Sequence, residues 1–320
     1  MFGYHVLHTI KLCVVHAMRE HKLKTPSPPT AVASSSLENT KKKERGLASC
    51  LVARARPWSS RRHRGARVGR ENREMGYDDP PPWVFRGKAL YQLALVRVDD
   101  AKAHVPNDLP LVNFFGWTLG GLYAARYDES PCGKLDEIVV LGGLCWNPPT
   151  SCAWATRVYV DSKDAREHGI RTCGLPSRAV EFRENEHAGD KGKSRGWWRS
   201  KKRDENLASV SVIEDKKKVC DLRFPNEPKV KGPRISMFLP SFSGKTKSIP
   251  DLLKYSLRMR ANIRLSSPIK VETPVETKGV ADRGTLSTVL TAKPLLCIAF
   301  DNMHMDVGAP QKVVISKSSK

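Results

Sequence analysis

A mainly β (α+β) domain with two short helices, preceded by a basic extension, is the architecture this sequence predicts. Three observations carry that prediction. Apolar segments of strand length recur between polar loops from Pro80 onward. One of them, Ser256 to Leu265, alternates strictly: Leu257, Met259, Ala261, Ile263 and Leu265 on one face, Arg258, Arg260, Asn262 and Arg264 on the other. That pattern belongs to a half-exposed antiparallel strand. The chain also lacks a βαβ rhythm, an internal repeat and a Gly-rich phosphate loop, which removes the parallel α/β classes.

The elements follow in order. Ala89 to Val98 is apolar on both faces and predicts a strand buried on both. Asp99 or Asp100 caps a short helix running to Val105, which Pro106 stops. Gly116 to Tyr127 reads as a strand in which Gly120-Gly121 marks a bulge or a close backbone approach. Ile138 to Trp146 and Cys152 to Val160 are two strands joined by the stiff turn Trp146-Asn147-Pro148-Pro149. Trp154, alternating with Cys152, Thr156 and Val158, is a core position. Ser162 or Asp161 caps a second helix from Lys163 to about Thr172, and Gly174 suits its C′ position. The polar segment from His187 to Asn206 reads as an exposed loop with Trp197-Trp198 as its anchor or as a binding patch. Strands resume at Ala208–Ile213, Lys218–Phe224 and Ile235–Leu239. Lys270 to Arg283 reads as a polar loop, and Thr285–Thr291, Leu295–Phe300 and Met303–Val307 as closing strands.

Charge divides the chain. Of 55 Lys+Arg and 33 Asp+Glu, residues 1–74 hold 16 and 5, so half of the net charge of +22 falls in the first quarter. This stretch is Arg- and Ser-rich, with Lys41-Lys42-Lys43 and Arg61-Arg62-His63-Arg64. It reads as a transit peptide, a basic tail without a fold, or sequence upstream of a true start at Met75. The expected organisation is therefore a basic extension over 1–74, an ordered domain over 75–312 and a polar tail over 313–320. A basic chain binds polyanions by releasing counterions. No nucleic-acid-binding motif accompanies the charge, so a nucleic-acid partner is the disfavoured reading. No apolar run is long enough for a transmembrane helix.

Sets of residues that usually carry chemistry are absent. The eight cysteines form no C-x-x-C pair and have no His at ligand spacing, so no metal or other cofactor is expected. There is no G-x-S-x-G elbow and no H-E-x-x-H. What remains is a candidate pocket. Glu137 opens an apolar strand on the face of Val139 and Leu141, where desolvation would raise its pKa unless it faces water. Arg157 lies among Ala153, Ala155 and Tyr159, where it reaches into a cavity or snorkels to solvent. Gly174-Leu175-Pro176-Ser177-Arg178 presents a hydroxyl and a cation after the second helix. Ser177 and Arg178 join Glu137 and Arg157 as candidate cavity residues, with Glu137 the candidate acid.

Four motifs carry a family resemblance: Pro82-Trp83-Val84-Phe85-Arg86-Gly87-Lys88-Ala89-Leu90-Tyr91-Gln92-Leu93, the Trp146 to Ala155 stretch, Gly174-Leu175-Pro176-Ser177, and Leu239-Pro240-Ser241-Phe242-Ser243-Gly244. Together they resemble the plant neoxanthin-deficient protein family, from about Pro80 to Pro310. That family is similar to the acetoacetate decarboxylase-like superfamily, which implies an antiparallel, closed or cone-shaped β domain around an apolar cavity. In the decarboxylases an acid is followed by a Gly-Phe-Pro-Lys-Lys elbow whose first lysine forms a Schiff base, its pKa lowered by the second ammonium. The resemblance puts Glu137 at the acid, Ser177 at the first lysine and Arg178 at its neighbour. Serine cannot form an imine, so decarboxylation by that route is not expected unless another lysine, Lys293 being the one to check, enters the cavity. The resemblance implies an accessory protein of neoxanthin formation, upstream of abscisic acid, holding an apolar or carotenoid-like ligand in a plastid or else in the cytoplasm. An enzyme acting on a carotenoid epoxide or a small carboxylate is the alternative. Oligomers in the superfamily imply a possible homo-oligomer.

Overall fold

In a computed structural model, the structure describes residues 76–147, 150–184, 208–225, 232–274 and 281–314. The extension, the 187–206 loop with Trp197-Trp198, the prolines of the Trp146 turn and the last residues of the tail lie outside this set. Seven long strands build the principal layer: β1 (Trp83–Arg97), β2 (Trp117–Glu129), β3 (Leu135–Asn147), β4 (Thr150–Val160), β9 (Arg234–Gly244), β10 (Leu252–Ser266) and β12 (Pro294–Val307). Each pairs with the next in the order β12-β1-β2-β3-β4-β9-β10, and β10 pairs with β12 in turn, so the sheet closes into a barrel. All of these pairings are antiparallel except β4 with β9, which is parallel and joined only at Ala153↔Ser241 and Trp154↔Phe242. The short strands β5 (Ser177–Ala179) and β13 (Gln311–Lys312) extend it on β4 and β10.

The second sheet is the antiparallel set β11 (Lys270–Glu272), β8 (Lys217–Phe224), β7 (Ala208–Glu214) and β6 (Glu181–Glu184), in that order. It covers the outer face of β1 to β4. Leu90, Leu122, Ile138, Val140 and Tyr159 from the barrel meet Val210, Val212, Cys220 and Leu222 from the sheet. Gln92, also buried there, accepts from the Ile269 N–H at 2.7 Å and donates to its carbonyl at 3.2 Å, so its burial leaves nothing unsatisfied. Helices α1 (Val98–Lys102) and α3 (Ala281–Leu290) complete this layer.

The interior of the barrel is the other core. Every barrel strand contributes: Ala89, Ala125, Tyr127, Val139, Val158, Leu239, Met259 and Phe300 among them. Strand alternation makes this possible, since each second residue turns inward. Helix α2 (Lys163–Arg171) lies over the end where β1 begins, with Ala165 and Gly169 buried and His168 stacked on Tyr77 and edge-on to Trp83.

Several expectations change. The stretch Thr285–Thr291 is helical, not a strand: its β-branched residues suggest extension, but Leu286, Val289 and Leu290 fall at helical spacing and are buried together. Three helices therefore stand among the described residues, and part of the expected 270–283 loop is β11 and the start of α3. Helix α1 starts at Val98 with Arg97 as its N-cap and no side-chain cap, so Asp99 and Asp100 occupy its first turn and it stops at Lys102 rather than Val105. Leu265 leaves the apolar face of its strand and is exposed. The two closing strands are one, β12, with a bulge where Asn302 adopts a left-handed conformation (φ 47). Ser162 is the cap of α2, its hydroxyl accepting from Ala165 N–H at 3.3 Å.

Gly120-Gly121 is a close approach. A Cβ at Gly121, whose φ is +128, would stand 2.0 Å from the Gln92 carbonyl oxygen across the sheet. Gly133 shares a positive φ (+85) but has nothing within 4 Å. In chemical denaturation Gly121→Ala should therefore cost more than about 3 kcal/mol, from strand separation added to backbone strain, and Gly133→Ala only about 1 kcal/mol.

Candidate functional site

Glu137 is the only carboxylate turned toward the interior core from β3 among the described residues; its chain neighbour Asp136 faces the other way, held by Arg126 through two bonds of 2.7 and 2.6 Å. The alternation separates the two acids sharply. Asp136 is part of an outer ion cluster that also includes Glu184, 3.6 Å from Arg126. Glu137 accepts a 2.8 Å hydrogen bond from the Tyr127 hydroxyl. That hydroxyl lies 3.3 Å from the Tyr123 hydroxyl, which in turn donates to the sulfur of Met303 at 3.4 Å. Tyr123 and Tyr127 share the inward face of β2 because they are four apart on one strand.

Burial pushes the Glu137 carboxyl up from 4.5 to about 7, while the Tyr127 hydrogen bond pulls it back. The phenols around it move up for the same reason: Tyr127 by burial and by the negative Glu137, Tyr123 and Tyr255 by burial first. Burial and Glu137 also push the Cys173 thiol up to about 12. Tyr91, Tyr123, Glu137, Val139, Tyr255 and Leu257 turn inward and yet keep accessible surface. Side chains that fill a small barrel completely would have none, so an internal space remains beside the carboxyl. Near neutral pH this site offers a carboxyl that is partly protonated, two phenols in a chain and thioether and aromatic walls. It can hydrogen-bond an ether, epoxide or hydroxyl oxygen of an otherwise apolar molecule, or pass that oxygen a proton.

Ser177 shares this side of the sheet. It pairs with Val158, whose β3 partner is Val139, two residues from Glu137. It is buried, and a Cβ on Gly169 would stand 2.4 Å from its Oγ, so the bare backbone of α2 makes room for the hydroxyl. Gly174, at φ +63, lies two residues past the Thr172 cap, one later than expected, and its carbonyl accepts from Gly244 N–H at 3.0 Å.

The two arginines go elsewhere. Arg178 pairs with Tyr159 on the outer face, and its guanidinium is 3.6 Å from Glu214 of the second sheet. Arg157, one residue before the inward Val158 and paired with the outward Val140, also faces outward, where it lines a groove with His104, Thr156, Pro176 and Lys245. Neither is brought to Glu137: one residue's step along a strand reverses the face. Lys293 is exposed at the start of β12. Sequence reasoning missed Tyr123, Tyr127 and Tyr255. The i, i+4 tyrosines of β2 were the available signal, masked by an apolar strand in which tyrosine is ordinary.

A closed barrel, antiparallel except at one seam, with a helix over one end is the acetoacetate decarboxylase-like fold. The solved acetoacetate decarboxylase of Legionella pneumophila shares this fold, with a TM-score of 0.50 over 89% of this chain and 99% of that one, at 12% identity. Among curated sequences, Protein NEOXANTHIN-DEFICIENT 1 of rice (Oryza sativa subsp. japonica) is 40% identical over 77% of this chain and 93% of its own length. Its tomato (Solanum lycopersicum) and Arabidopsis thaliana counterparts are each 38% identical over about three quarters of the chain. The chain belongs to this neoxanthin-deficient 1 family. No protein-family profile matches it.

The raised Glu137 pKa has a definite sign in stability. Below 4.5 the carboxyl is neutral folded and unfolded. Between 4.5 and about 7 the unfolded chain releases its proton while the folded one retains it, so folding loses stability as pH rises through that window. The loss approaches about 3 kcal/mol at one pKa unit per 1.36 kcal/mol. Glu137→Gln keeps an acceptor for Tyr127 and removes the ionisation. Denaturation curves from pH 4 to 8 should show it equal to the parent at pH 4 and more stable by about 1–3 kcal/mol at pH 8; equal slopes in both proteins would contradict a desolvated Glu137.

Proposed function

We propose that this protein supports neoxanthin formation, as the name of its relatives suggests, by holding an apolar, oxygen-bearing carotenoid-like molecule in the barrel rather than by decarboxylating a keto acid. The single observation that carries this is the buried Glu137–Tyr127–Tyr123 chain set in a Tyr- and Met-walled space. A polar foot in an apolar interior suits a long hydrocarbon with an oxygen at its end. Ser177 stands where the resemblance puts the imine-forming lysine, and a hydroxyl cannot form an imine. Lys88 and Lys254 each precede an inward residue (Ala89, Tyr255) by one position, so alternation turns them away from Glu137. The reading needs no metal or organic cofactor. It places the protein in the plastid, where xanthophylls are made, upstream of abscisic acid.

A second reading is favoured by one fact: Glu137, pushed to about 7 by burial, matches a general acid working near neutrality. Such an acid would protonate an epoxide oxygen as its C–O bond opened. The Glu137 carboxylate so formed would take the proton of the neighbouring C–H, a net isomerisation that restores the acid, with Tyr127 holding the carboxyl in place.

Full-length protein titrated with violaxanthin and neoxanthin in detergent micelles should red- or blue-shift the polyene absorbance and raise the melting temperature. No shift with either carotenoid would end the ligand-holding reading. Glu137→Gln in a neoxanthin-lacking plant separates the two: normal neoxanthin leaves holding as the role, and none, with carotenoid binding retained, assigns Glu137 to proton transfer.

A further inference from the structure

Among the described residues the large apolar side chains that remain exposed are Phe114, Phe115, Trp146, Phe238, Leu265 and Val314. Strand order and register put Phe114, Phe115 and Trp146 at the end of the barrel where β1 and β3 finish, opposite α2. Val314, in contrast, lies by the start of β10 and Leu265 at its other end. Phe114 and Phe115 precede β2, whose first residue Trp117 pairs with Arg97 at the end of β1. Trp146 is next to last in β3, and Leu265 next to last in β10. Phe238 pairs with Arg258, which registers through Asp306 with Val84 near the start of β1, and is not part of this group. The Val314 carbonyl accepts from Asn147 Nδ2 at 3.1 Å. Isolated exposed hydrophobics need no explanation, but a set gathered at one end does.

The tip of this end is built against local preference. Phe114 and Trp117 exchange backbone hydrogen bonds of 2.8 and 3.1 Å around the two-residue loop Phe115-Gly116, and both loop residues have positive φ, 50 and 84. That is the left-handed hairpin turn that Asn-Gly or Gly-Gly adopts without strain. Phenylalanine costs about 1–2 kcal/mol there. Asn113 Oδ1 accepts from Gly116 N–H at 2.8 Å and holds the turn. Phe115 is 80% exposed, so burial does not offset this cost. Phe114 meets it edge-on, with ring centroids 4.7 Å apart.

Charge at this end is positive. Arg97, stacked 5.4 Å over the Trp117 ring, Arg234 at the start of β9 and Lys293 at the start of β12 are exposed around it. Of the nearby acids, Asp99 is paired with Lys102 and Asp301 with Arg264, while Asp100 lies on α1.

We propose that this end of the barrel docks on an anionic lipid bilayer, with Phe114, Phe115 and Trp146 entering the interface and Arg97, Arg234 and Lys293 meeting lipid headgroup anions. No helix among the described residues is long and apolar enough to cross a membrane. The proposal deepens the ligand-holding reading and rests on it for its purpose: an apolar ligand is exchanged where it dissolves.

Sedimentation of the full-length protein with carotenoid-free phosphatidylcholine vesicles, with and without phosphatidylglycerol, tests it. Binding should require phosphatidylglycerol. Phe114→Ser with Phe115→Asn should weaken it by at least about tenfold while leaving the melting temperature unchanged or higher, since Asn suits the turn. Equal binding of the two proteins, with complete release by salt, would assign membrane contact to basic segments such as residues 1–74 and overturn the proposal. No vesicle binding, or a dimer that the double substitution dissociates, would overturn it as well. Carotenoid binding by the double variant in micelles keeps the two claims apart: docking lost with binding retained supports the docking face alone, whereas vesicle binding without carotenoid binding supports docking and removes the ligand-holding reading.

Discussion

Strand β12 has a partner on each side, β1 and β10, and the rest of the structure depends on that double pairing. It converts an open sheet with two exposed edges into a barrel with none at that seam. Closure gives every long strand an inside and an outside. It also explains why neighbouring residues of like chemistry have opposite environments. Asp136 faces out to Arg126; Glu137 faces in and accepts from the Tyr127 hydroxyl. The bulge at Asn302 lets β12 serve both partners without losing the inward register of Met303 and Met305.

An acid enclosed in this way is expensive in stability and useful in chemistry. Its ionisation opposes folding, and the Tyr127 hydroxyl returns only part of that cost. Carrying such a group is understandable if a ligand's oxygen uses it. The helix cap over Ser177 and Gly169 closes one end of the barrel, while the exposed aromatic hairpin projects from the other. A molecule reaching Glu137 from a membrane would then enter from the aromatic end and stop at the carboxyl.

Much of this was legible in the sequence where chemistry and period agreed. The β10 alternation holds up to Leu265, and the Gly120-Gly121 contact and the Ser162 cap are each one of two alternatives to which residue type narrows the choice. Glu137 on the face of Val139 was likewise readable from period two. The surroundings of Arg157 and Arg178 were not, because alternation from the inward Val158 and Ser177 turns both outward, and which of the two faces is the barrel interior is fixed only by closure of the sheet. Thr285 to Thr291 misled because β-branched residues favour strands, whereas the burial of Leu286, Val289 and Leu290 against a sheet overrides that preference. The tyrosine chain needed the pairing of β2 with β3 to place Tyr127 beside Glu137.

The central claim, that a ligand meets the Glu137 carboxyl inside the barrel, is tested most directly by the infrared difference spectrum of the full-length protein with and without neoxanthin near pH 6. At that pH the carboxyl is mostly protonated, consistent with a pKa of about 7. The account predicts that ligand shifts a protonated C=O stretch and that this difference band is missing in Glu137→Gln. Neoxanthin binding that leaves the carboxyl band unmoved would contradict it.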